Sequence, residues 1–391
     1  METRRAFAKE IALAGAGALL APRFLRGQGV TSSTEAGSTG GGTLKAHAAA
    51  RGLYVGAAVN VGLLDRDIGY ARTVAEQYNI VVAENAMKWA ALRPAPDRFD
   101  FAEADRLMAF AAMHGMAVRG HTLCWHEALP AWFAGTVNRR NAEAYLVRHV
   151  ETVVGRYKGR IRAWDVVNEA VELKDGRPDG LRKSAWLELL GPRYLEIAFR
   201  AARAADPAAL LTYNEYGIET DGAGDTAKRE AVLALLGRLK RERVPIDAVG
   251  VQSHLSADSA AEIGSGLSGF AVKARLMGLK VSITELDVND DSLMVDDPAT
   301  RGKAVAGVYG GYVGSLLRNP AVTDVLCWGV SDRYSWLNGR DAVKFRPKHP
   351  GREEVCLPFD NNYGPHPAFY ALRAALDSRA GGDAGTIVLQ P

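Results

Sequence analysis

Cysteine is scarce in this chain of 391 residues, which contains only Cys124, Cys327 and Cys356. Three cysteines at such wide separations are too few for a disulfide framework or a zinc cluster. The sequence leaves open whether Cys327 and Cys356 are bonded to each other. Because 48% of the residues are hydrophobic and 24% are charged, the chain can bury a sizeable core and is expected to be a globular, enzyme-sized body.

A charge excess of one sign is also missing outside the first thirty residues. The formal charge of +3 equals the excess within that segment, which carries Arg4, Arg5, Lys9, Arg23 and Arg26 against Glu2 and Glu10. A body whose charges balance gives no reason to expect nucleic acid or an anionic membrane as a partner.

The apolar run near the amino terminus is too short for a comfortable membrane span. Ile11 to Ala21 is rich in alanine and glycine and follows the paired arginines Arg4 and Arg5, a pattern typical of twin-arginine export. We predict that residues 1–29 are a twin-arginine-type signal peptide. The mature protein is then periplasmic or secreted, with no stable membrane association after signal removal. A retained amphipathic start or a retained membrane anchor is the alternative.

The remaining chain divides into a linker, one domain and a tail. Residues 30–43 are dominated by glycine, serine and threonine and are predicted to be a flexible linker. Its Gly40–Gly42 run follows no strand and is therefore not a phosphate-binding loop. Residues 44–380 show no internal repeat and are predicted to form a single catalytic domain. Residues 381–391 are predicted to be a flexible tail, and we expect a monomer.

Apolar strand-like runs alternate with longer amphipathic segments from about Leu44 onward, such as Ala142 to Tyr157 and Ala185 to Ala205. The predicted strands begin near Leu53, Ile80, Met116, Ile161, Ala209, Asp247, Lys280 and Asp324. Eight strands alternating with helices favour an α/β fold of the closed (β/α)₈ TIM-barrel type. An open doubly wound sheet is the alternative.

Every predicted strand ends in polar or aromatic residues. These are Asn60, Glu84 and Asn85, His121, Asn168 and Glu169, Tyr213 and Asn214, Gln252 and His254, Glu285, and Trp328. In a closed barrel all such ends share one rim, where catalytic residues lie, whereas an open sheet would spread them along a row. The composition of the strand ends therefore supports the barrel.

Two of these strands end in carboxylates, Trp164–Glu169 and Ile283–Asp287, and each contains a glutamate. Hydrolysis of a sugar bond needs two such carboxylates, one to protonate the leaving oxygen and one to attack or to activate water. A helix N-cap or a structural ion pair is the alternative for Glu169, but its neighbour Asn168 is a residue suited to holding a sugar hydroxyl.

The second glutamate has two candidate partners. Glu285 and Asp287 are two residues apart and so lie on one face of a strand, where one can tune the ionisation of the other. His254 is a candidate third member, and a core histidine is the alternative for it.

The segment His121 to His126 contains two histidines and Cys124, which suggests a metal site. Strand parity argues against metal binding, because His121 and Trp125 lie on one face while the other two candidate ligands lie on the opposite face. We interpret His121 and Trp125 as sugar contacts. No metal and no cofactor is expected.

Aromatic residues and charged groups suited to a sugar accompany this segment. Trp89, Trp125, Trp164, Trp328 and Trp336 all lie in segments at strand ends, and a flat ring can cover the apolar face of a pyranose. The run Glu84 to Trp89 supplies a carboxylate, an amide and an ammonium beside an aromatic ring. A solvated charged loop is the alternative there.

Together these motifs resemble those of the glycoside hydrolase family 10 endo-β-1,4-xylanases in order, spacing and strand position. They are Glu84–Trp89, Gly120–His126, Trp164–Glu169, Val251–His254, Thr284–Asp287, Trp328–Asp332 with Ser335–Trp336, Leu357–Asp360 and Pro367–Phe369. The resemblance covers roughly Leu44 to Leu376. It departs from the family pattern at Ala90, where aspartate is frequent, and at Cys124, where an aliphatic residue is common.

The resemblance implies a (β/α)₈ barrel that cleaves xylan and xylooligosaccharides with retention of configuration. Glu169 would be the acid/base, Glu285 the nucleophile and Asp287 a supporting residue. The substrate-binding residues carried over are Glu84, Asn85, Lys88, His121, Trp125, Asn168, Tyr213, Gln252, His254, Trp328 and Trp336. Among them, Tyr213 would face the sugar next to the cleavage point, and Trp336 would help to exclude a hydroxymethyl group.

Two other functions share part of this pattern. A β-1,4-glucanase or mannanase on the same barrel would also have the Asn-Glu strand end and the later glutamate, but the Lys88 and His121 segments favour xylan. A non-catalytic xylan-binding protein would keep the aromatic residues and lose a carboxylate, and here both carboxylates are present.

Overall fold

A closed ring of eight parallel strands forms the centre of the computed structural model, which describes residues 42–339 and 348–379. The strands are β1 (Tyr54–Val59), β2 (Ile80–Ala83), β3 (Ala117–Cys124), β4 (Ala163–Asn168), β5 (Leu210–Glu215), β6 (Ala248–Val251), β7 (His254–Ser256), β8 (Lys280–Asn289) and β9 (Val322–Cys327). The ring closes because β9 pairs with β1 and β6 pairs with β8. The short strand β7 pairs with the carboxyl-terminal end of β8 and is not one of the eight strands of the ring. The predicted (β/α)₈ barrel is confirmed, and the open sheet is excluded.

Helices follow the strands and cover the outside of the ring. They are α1 (Leu44–Ala49), α2 (Val61–Leu64), α3 (Ile68–Gln77), α4 (Trp89–Leu92), α5 (Ala102–Met113), α6 (Phe133–Thr136), α7 (Ala142–Arg156), α8 (Ala185–Leu190), α9 (Arg193–Ala205), α10 (Ala223–Arg241), α11 (Gly266–Leu276), α12 (Pro298–Leu317) and α13 (Pro367–Asp377). Short 3₁₀ turns occur at Leu173–Asp175, Ala257–Glu262, Asp332–Tyr334 and Trp336–Asn338. The apolar faces of the helices and the outward faces of the strands form one continuous core.

The predicted helix over 185–205 is two helices. Gly191 has a φ of 62° and Pro192 follows it, so the left-handed residue ends α8 and the proline begins α9. Ser184 caps α8 by accepting a hydrogen bond from Leu187 N at 3.2 Å. Helical periodicity does not register this break, and the Gly191-Pro192 pair in the sequence is its local signal.

The close approach of β3 and β4 depends on a glycine. Gly120 is paired in register with Trp164, whose fully buried ring fills the space where a Cβ would stand. A Cβ built on Gly120 would lie 2.1 Å from that ring, well inside van der Waals contact. Only glycine therefore allows β3 to pass over the indole at this point.

Several predictions concern segments outside the described residues. The signal peptide over 1–29, most of the linker over 30–43 and the tail over 381–391 lie there. At the start of the described chain, Thr43 caps α1 by accepting from Ala46 N at 3.3 Å. No helix within 42–339 or 348–379 combines the length and apolarity needed to cross a membrane. Cys124, Cys327 and Cys356 are all buried and free, so no bond joins the last two.

Candidate active site

Two glutamates lie at the carboxyl-terminal rim of the barrel. Glu169 directly follows β4, and Glu285 lies in the second half of β8. Asn168 Nδ2 donates to Glu169 Oε1 at 3.0 Å. Asn214 Nδ2 donates to Asn168 Oδ1 at 2.9 Å and to Glu285 Oε1 at 2.7 Å. Both predicted catalytic carboxylates are thus joined in one chain of hydrogen bonds.

Asn214 is a member of this chain that the sequence did not identify as a site residue. Thr284 Oγ1 donates to Asn214 Oδ1 at 2.7 Å, which turns the Asn214 amide nitrogen toward the two carboxylates. Asn214 lies near the end of β5, which makes it a candidate from the sequence, but the family resemblance points to its neighbour Tyr213 instead.

The environment of Glu169 favours the protonated acid. Burial raises the pKa of its carboxyl, and the charges of Glu215 and Glu285 raise it further, while Gln252 opposes the shift by donating to Oε1 at 2.9 Å. His126 Nδ1 lies 3.9 Å from the other carboxylate oxygen, and burial lowers the pKa of this histidine to about 4. A neutral imidazole therefore lies beside Glu169 and adds no positive charge that would favour ionisation of its carboxyl.

The environment of Glu285 favours the carboxylate. Although burial acts in the opposite direction, the hydrogen bond from His254 and the charge of His121 hold the pKa of Glu285 below its ordinary value. His254 bridges two acids, with Nε2 at 3.3 Å from Glu285 and Nδ1 at 2.9 Å from Asp287. Despite burial, these two carboxylates raise the pKa of His254 well above its ordinary value. The predicted group of three is therefore present as a charged cluster.

Asp287 connects this cluster to the aromatic wall of the cleft. Its Oδ2 accepts from Trp336 Nε1 at 2.6 Å, and the Trp336 ring meets the His254 ring edge to face with centroids 5.3 Å apart. The Trp336 indole is thereby fixed in direction although it belongs to a short 3₁₀ turn.

His121 is oriented from below by a buried ion pair. Its Nδ1 lies 3.1 Å from Asp165 Oδ2, and Asp165 also accepts from Arg119 Nε at 3.1 Å. The charge of Arg119 and the hydrogen bond with His121 lower the pKa of Asp165 in spite of its burial. The His121 ring lies 5.3 Å from Trp328 and 6.2 Å from Trp125 between centroids. The structure thus groups Trp125 and Trp328 with His121. Strand parity predicts only the pairing of His121 with Trp125, and β3 ends at Cys124 with an irregular register after His121.

Among residues 42–339 and 348–379, no three histidine, cysteine or acidic side chains are placed to hold a metal ion.

Glu84, Asn85 and Lys88 form a polar group on one side of the two glutamates. Lys88 Nζ donates to Asn85 Oδ1 at 2.9 Å, and Asn85 Nδ2 donates to Glu84 Oε1 at 3.2 Å. The ammonium lies 5.2 Å from the Trp125 ring centre and 5.8 Å from that of Trp328. Burial lowers the pKa of Lys88 while four surrounding glutamates oppose the shift. This arrangement suits several hydroxyl groups between two flat rings.

Three of the predicted aromatic positions differ from expectation. Trp89 and Trp164 are core residues rather than rim residues, with exposed fractions of 2% and 0%. Trp89 Nε1 donates to the carbonyl of Leu123, which leaves no donor for a ligand. Tyr213 is also fully buried, and its hydroxyl accepts from Ala170 N at 3.2 Å. The expectation that Tyr213 faces a sugar is therefore corrected, because its ring points between the barrel and the helices.

Arg182 and Tyr216 are further residues of the rim that the sequence did not indicate. Arg182 Nε donates to the carbonyl of Glu169 at 2.8 Å, and Arg182 Nη2 donates to the Tyr216 hydroxyl at 2.8 Å. Tyr216 is only partly buried, so it is the aromatic residue after β5 that reaches the surface near Glu169. Tyr213 and Tyr216 are only three residues apart, so both are aromatic residues near the end of β5. The sequence alone does not show which of them reaches the surface.

Comparison with known proteins gives a consistent result for sequence and structure. Residues 43–375 match the model of the family described as glycosyl hydrolase family 10. A β-1,4-xylanase of Dictyoglomus thermophilum is 36% identical over 313 residues, which cover 78% of this chain and 83% of that protein. Endo-1,4-β-xylanase A of a Caldicellulosiruptor species is 37% identical over 322 residues, which cover 76% of this chain but only 43% of that longer protein.

A solved structure shares both the fold and the extent of the domain. Xylanase 10B of Thermotoga petrophila RKU-1, determined in complex with xylobiose, superposes with a TM-score of 0.75 at 34% sequence identity. The match covers 87% of this chain and 99% of that one.

Proposed function

Because the chain belongs to glycosyl hydrolase family 10, and is therefore a glycoside hydrolase, we propose that it is an endo-1,4-β-xylanase acting on internal β-1,4-xylosidic bonds with retention of configuration. The names of its relatives support this substrate, and so does the xylobiose bound by the Thermotoga petrophila enzyme. Xylan and xylooligosaccharides are the proposed partners, and the reaction needs no cofactor.

The observation that carries the proposal is the contrast between two glutamates in one hydrogen-bonded chain. The pKa of Glu169 is raised and that of Glu285 is lowered, so one carboxyl keeps a proton at the pH where the other is ionised. Pairs of acids with pKa values pushed apart in this way supply the acid and the nucleophile of a glycosidase. A purely sugar-binding site would have no need of the contrast.

The mechanism assigns one role to each carboxyl. Glu285 attacks the anomeric carbon while Glu169 donates its proton to the departing glycosidic oxygen. The covalent glycosyl–enzyme is then hydrolysed by water that Glu169, now ionised, deprotonates. Asn168, which is held by Asn214, is positioned to donate to the sugar 2-hydroxyl and to strengthen that bond at the transition state.

Substrate recognition follows from the groups around the two carboxyls. Glu84, Asn85 and Lys88 are proposed to bind the xylose two units toward the non-reducing end. Those proposed to surround the sugar at the cleavage point are His121, Trp125, Asn168, Gln252, His254 and Trp328. Trp336, fixed by Asp287, is proposed to occupy the space that a hydroxymethyl group on C5 would need.

Product analysis tests the function directly. Xylan, carboxymethylcellulose and mannan are incubated separately with the enzyme, and the products are separated by length. We expect a ladder of short xylooligosaccharides from xylan and little release from the other two. Equal kcat/KM for cello- and xylo-oligosaccharides of one length would replace the xylanase assignment by that of a β-1,4-glucanase. Binding of xylan without any hydrolysis would indicate a non-catalytic protein.

A further inference from the structure

The backbone at Glu169 has an unusual conformation that the surrounding residues hold in place. Glu169 has a φ of 58°, in the left-handed region that a residue with a side chain seldom adopts. Its N–H donates to the carbonyl of Asn214 at 2.9 Å. The direction of the Glu169 side chain depends on this turn, because the φ and ψ of a residue set where its Cβ points. A conformation of this kind persists only where the surroundings determine it.

Glu215, at the end of β5, is the main support of that turn. Glu215 Oε2 accepts from Val171 N at 3.1 Å and from the Tyr213 hydroxyl, which itself accepts from Ala170 N at 3.2 Å. The two residues after Glu169 are therefore both anchored to this carboxylate, one directly and one through a phenol. Tyr213 and Glu215 are two residues apart on β5 and so share the face of the strand opposite to Asn214.

Lys228, on α10, holds Glu215 in turn. Its Nζ lies 3.0 Å from Glu215 Oε1, which also accepts from Tyr216 N at 3.1 Å. The side chain of Glu215 is 0% exposed and that of Lys228 is 9% exposed. A buried carboxylate with two backbone N–H donors, a phenol and an ammonium has little freedom to move.

We infer that Glu215, with Tyr213 and Lys228, is a positioning group that fixes the left-handed turn at Glu169 and thereby aims its carboxyl at the glycosidic oxygen. This inference rests on the proposed function, because it assigns the proton donor to Glu169. Glu215 itself lies behind the turn and does not reach the cleft. It acts on the reaction through the placement of another residue, and its loss should impair the steps that use Glu169 more than the attack by Glu285.

The replacement Glu215→Gln separates these two effects. The glutamine keeps the shape of the side chain but removes its charge and one of its acceptor oxygens. We expect kcat/KM for xylohexaose to fall about 10- to 100-fold, since a catalytic group misplaced by about 1 Å can cost that much. With 2,4-dinitrophenyl β-xylobioside, whose leaving group needs no proton, kcat/KM should stay within about 3-fold of the unmodified enzyme.

Azide provides a second readout. Sodium azide can replace the water that Glu169 activates, so it should raise kcat of the Glu215→Gln enzyme on the dinitrophenyl substrate and yield the β-azide. A general loosening of the fold would lower kcat/KM for both substrates alike and would gain nothing from azide. Either of those results, in a folded variant, would overturn the positioning role.

Two further variants keep the test decisive. Asp206→Asn is the matched control, because Asp206 is another buried acid that accepts from two backbone N–H groups, those of Gly159 and Ala208, both at 2.9 Å. It should reduce the melting temperature and leave the ratio of the two substrates unchanged. Because Glu215→Gln also removes a charge that raises the pKa of Glu169, Tyr213→Phe isolates the positioning effect. It keeps that charge, removes only the hydroxyl beneath Ala170, and should change the ratio in the same direction even if Glu215→Gln does not fold. An unchanged ratio there would contradict the inference.

The failure of the proposed function would look different. An unmodified enzyme that is inactive on both xylohexaose and the dinitrophenyl substrate would reject the function itself. An active unmodified enzyme whose variants keep the ratio would reject only the role of Glu215.

Discussion

At the scale of single residues, identical side chains acquire different properties from their neighbours. At the rim, Glu169 is partly buried and Glu285 is buried. Glu169 lies near other acids and a neutral imidazole, while Glu285 contacts the cationic His254. The difference between their pKa values is therefore a property of the environment and follows from which groups the barrel places beside each one.

Replacing either glutamate should reveal its step. Glu169→Ala should reduce kcat/KM on xylan by about 10²- to 10⁴-fold, the usual value of a positioned proton donor, and retain much faster glycosylation with aryl xylosides that have good leaving groups. Glu285→Ala should be inactive on both. Added azide should give the β-azide with Glu169→Ala and the α-azide with Glu285→Ala, as identified by NMR of the products. The opposite pair of anomers would reverse the two roles.

At the scale of elements, the barrel strands and the helices around them contain positions where side chains and backbone are closely packed. Gly120 passes over the Trp164 ring between β3 and β4. On the next layer outward, His149 of α7 stacks on Trp89 of α4 with ring centroids 3.8 Å apart. Trp164, Trp89 and His149 are all buried, so both contacts act on the stability of the fold.

Gly120→Ala should destabilise the fold. The added methyl overlaps the Trp164 ring, and overpacking of this kind costs about 1–3 kcal/mol, which should appear as a lower melting temperature. Gly307→Ala is the matched control, because Gly307 lies in α12 with open space around a Cβ. That change should stabilise by about 0.5–1 kcal/mol through helix propensity. Equal effects of the two substitutions would contradict the packing argument.

His149 should make the fold sensitive to acid. Both ring nitrogens are buried without a hydrogen-bond partner, and burial, together with the charge of Arg93, lowers the pKa of His149 well below its ordinary value. Below a pH of about 6.5 the unfolded chain binds a proton that the folded chain does not. The free energy of unfolding therefore falls as the pH falls, by up to about 1.4 kcal/mol per pH unit from this residue alone.

Urea unfolding of His149→Phe from pH 7 to pH 5 measures that contribution. The phenylalanine keeps an aromatic ring against Trp89 and cannot take a proton, so its stability should decline less steeply with acid than that of the unmodified protein. Parallel declines would show that His149 does not contribute to acid sensitivity.

At the scale of the whole molecule, one barrel carries the entire proposed site. The family match over residues 43–375 coincides closely with the described part of the chain. The amino-terminal segment before it, with Arg4 and Arg5, is proposed to direct the protein to the periplasm or the exterior by twin-arginine export.

Replacing Arg4 and Arg5 by lysine should leave the protein in the cytoplasm, because the twin-arginine pathway recognises the paired guanidinium groups. Fractionation of cells followed by a xylan assay measures the distribution. Lysine at Arg23 and Arg26 is the matched control and should leave export unchanged. Undiminished export of the first variant would reject this pathway without affecting the enzyme assignment.

The barrel and its two glutamates can be predicted from the amino-acid sequence, because both features depend on the order of neighbouring residues. Alternation of strand and helix fixes the fold class, and each barrel strand begins within two residues of its predicted start. Glu169 and Glu285 follow because they terminate apolar runs, and parallel strands of a closed barrel present such ends on one rim. Neither conclusion needs the identity of any distant contact.

Which residues contact the two glutamates depends on the tertiary structure. Adjacent residues on a strand point to opposite faces, so Asn214 reaches the carboxylates while Tyr213 is buried behind them. Trp89 and Trp164 likewise lie in segments at strand ends but face the core. Which face is covered depends on helices that are far away in sequence, and the opposed pKa values of Glu169 and Glu285 depend on charges brought together from several different strands.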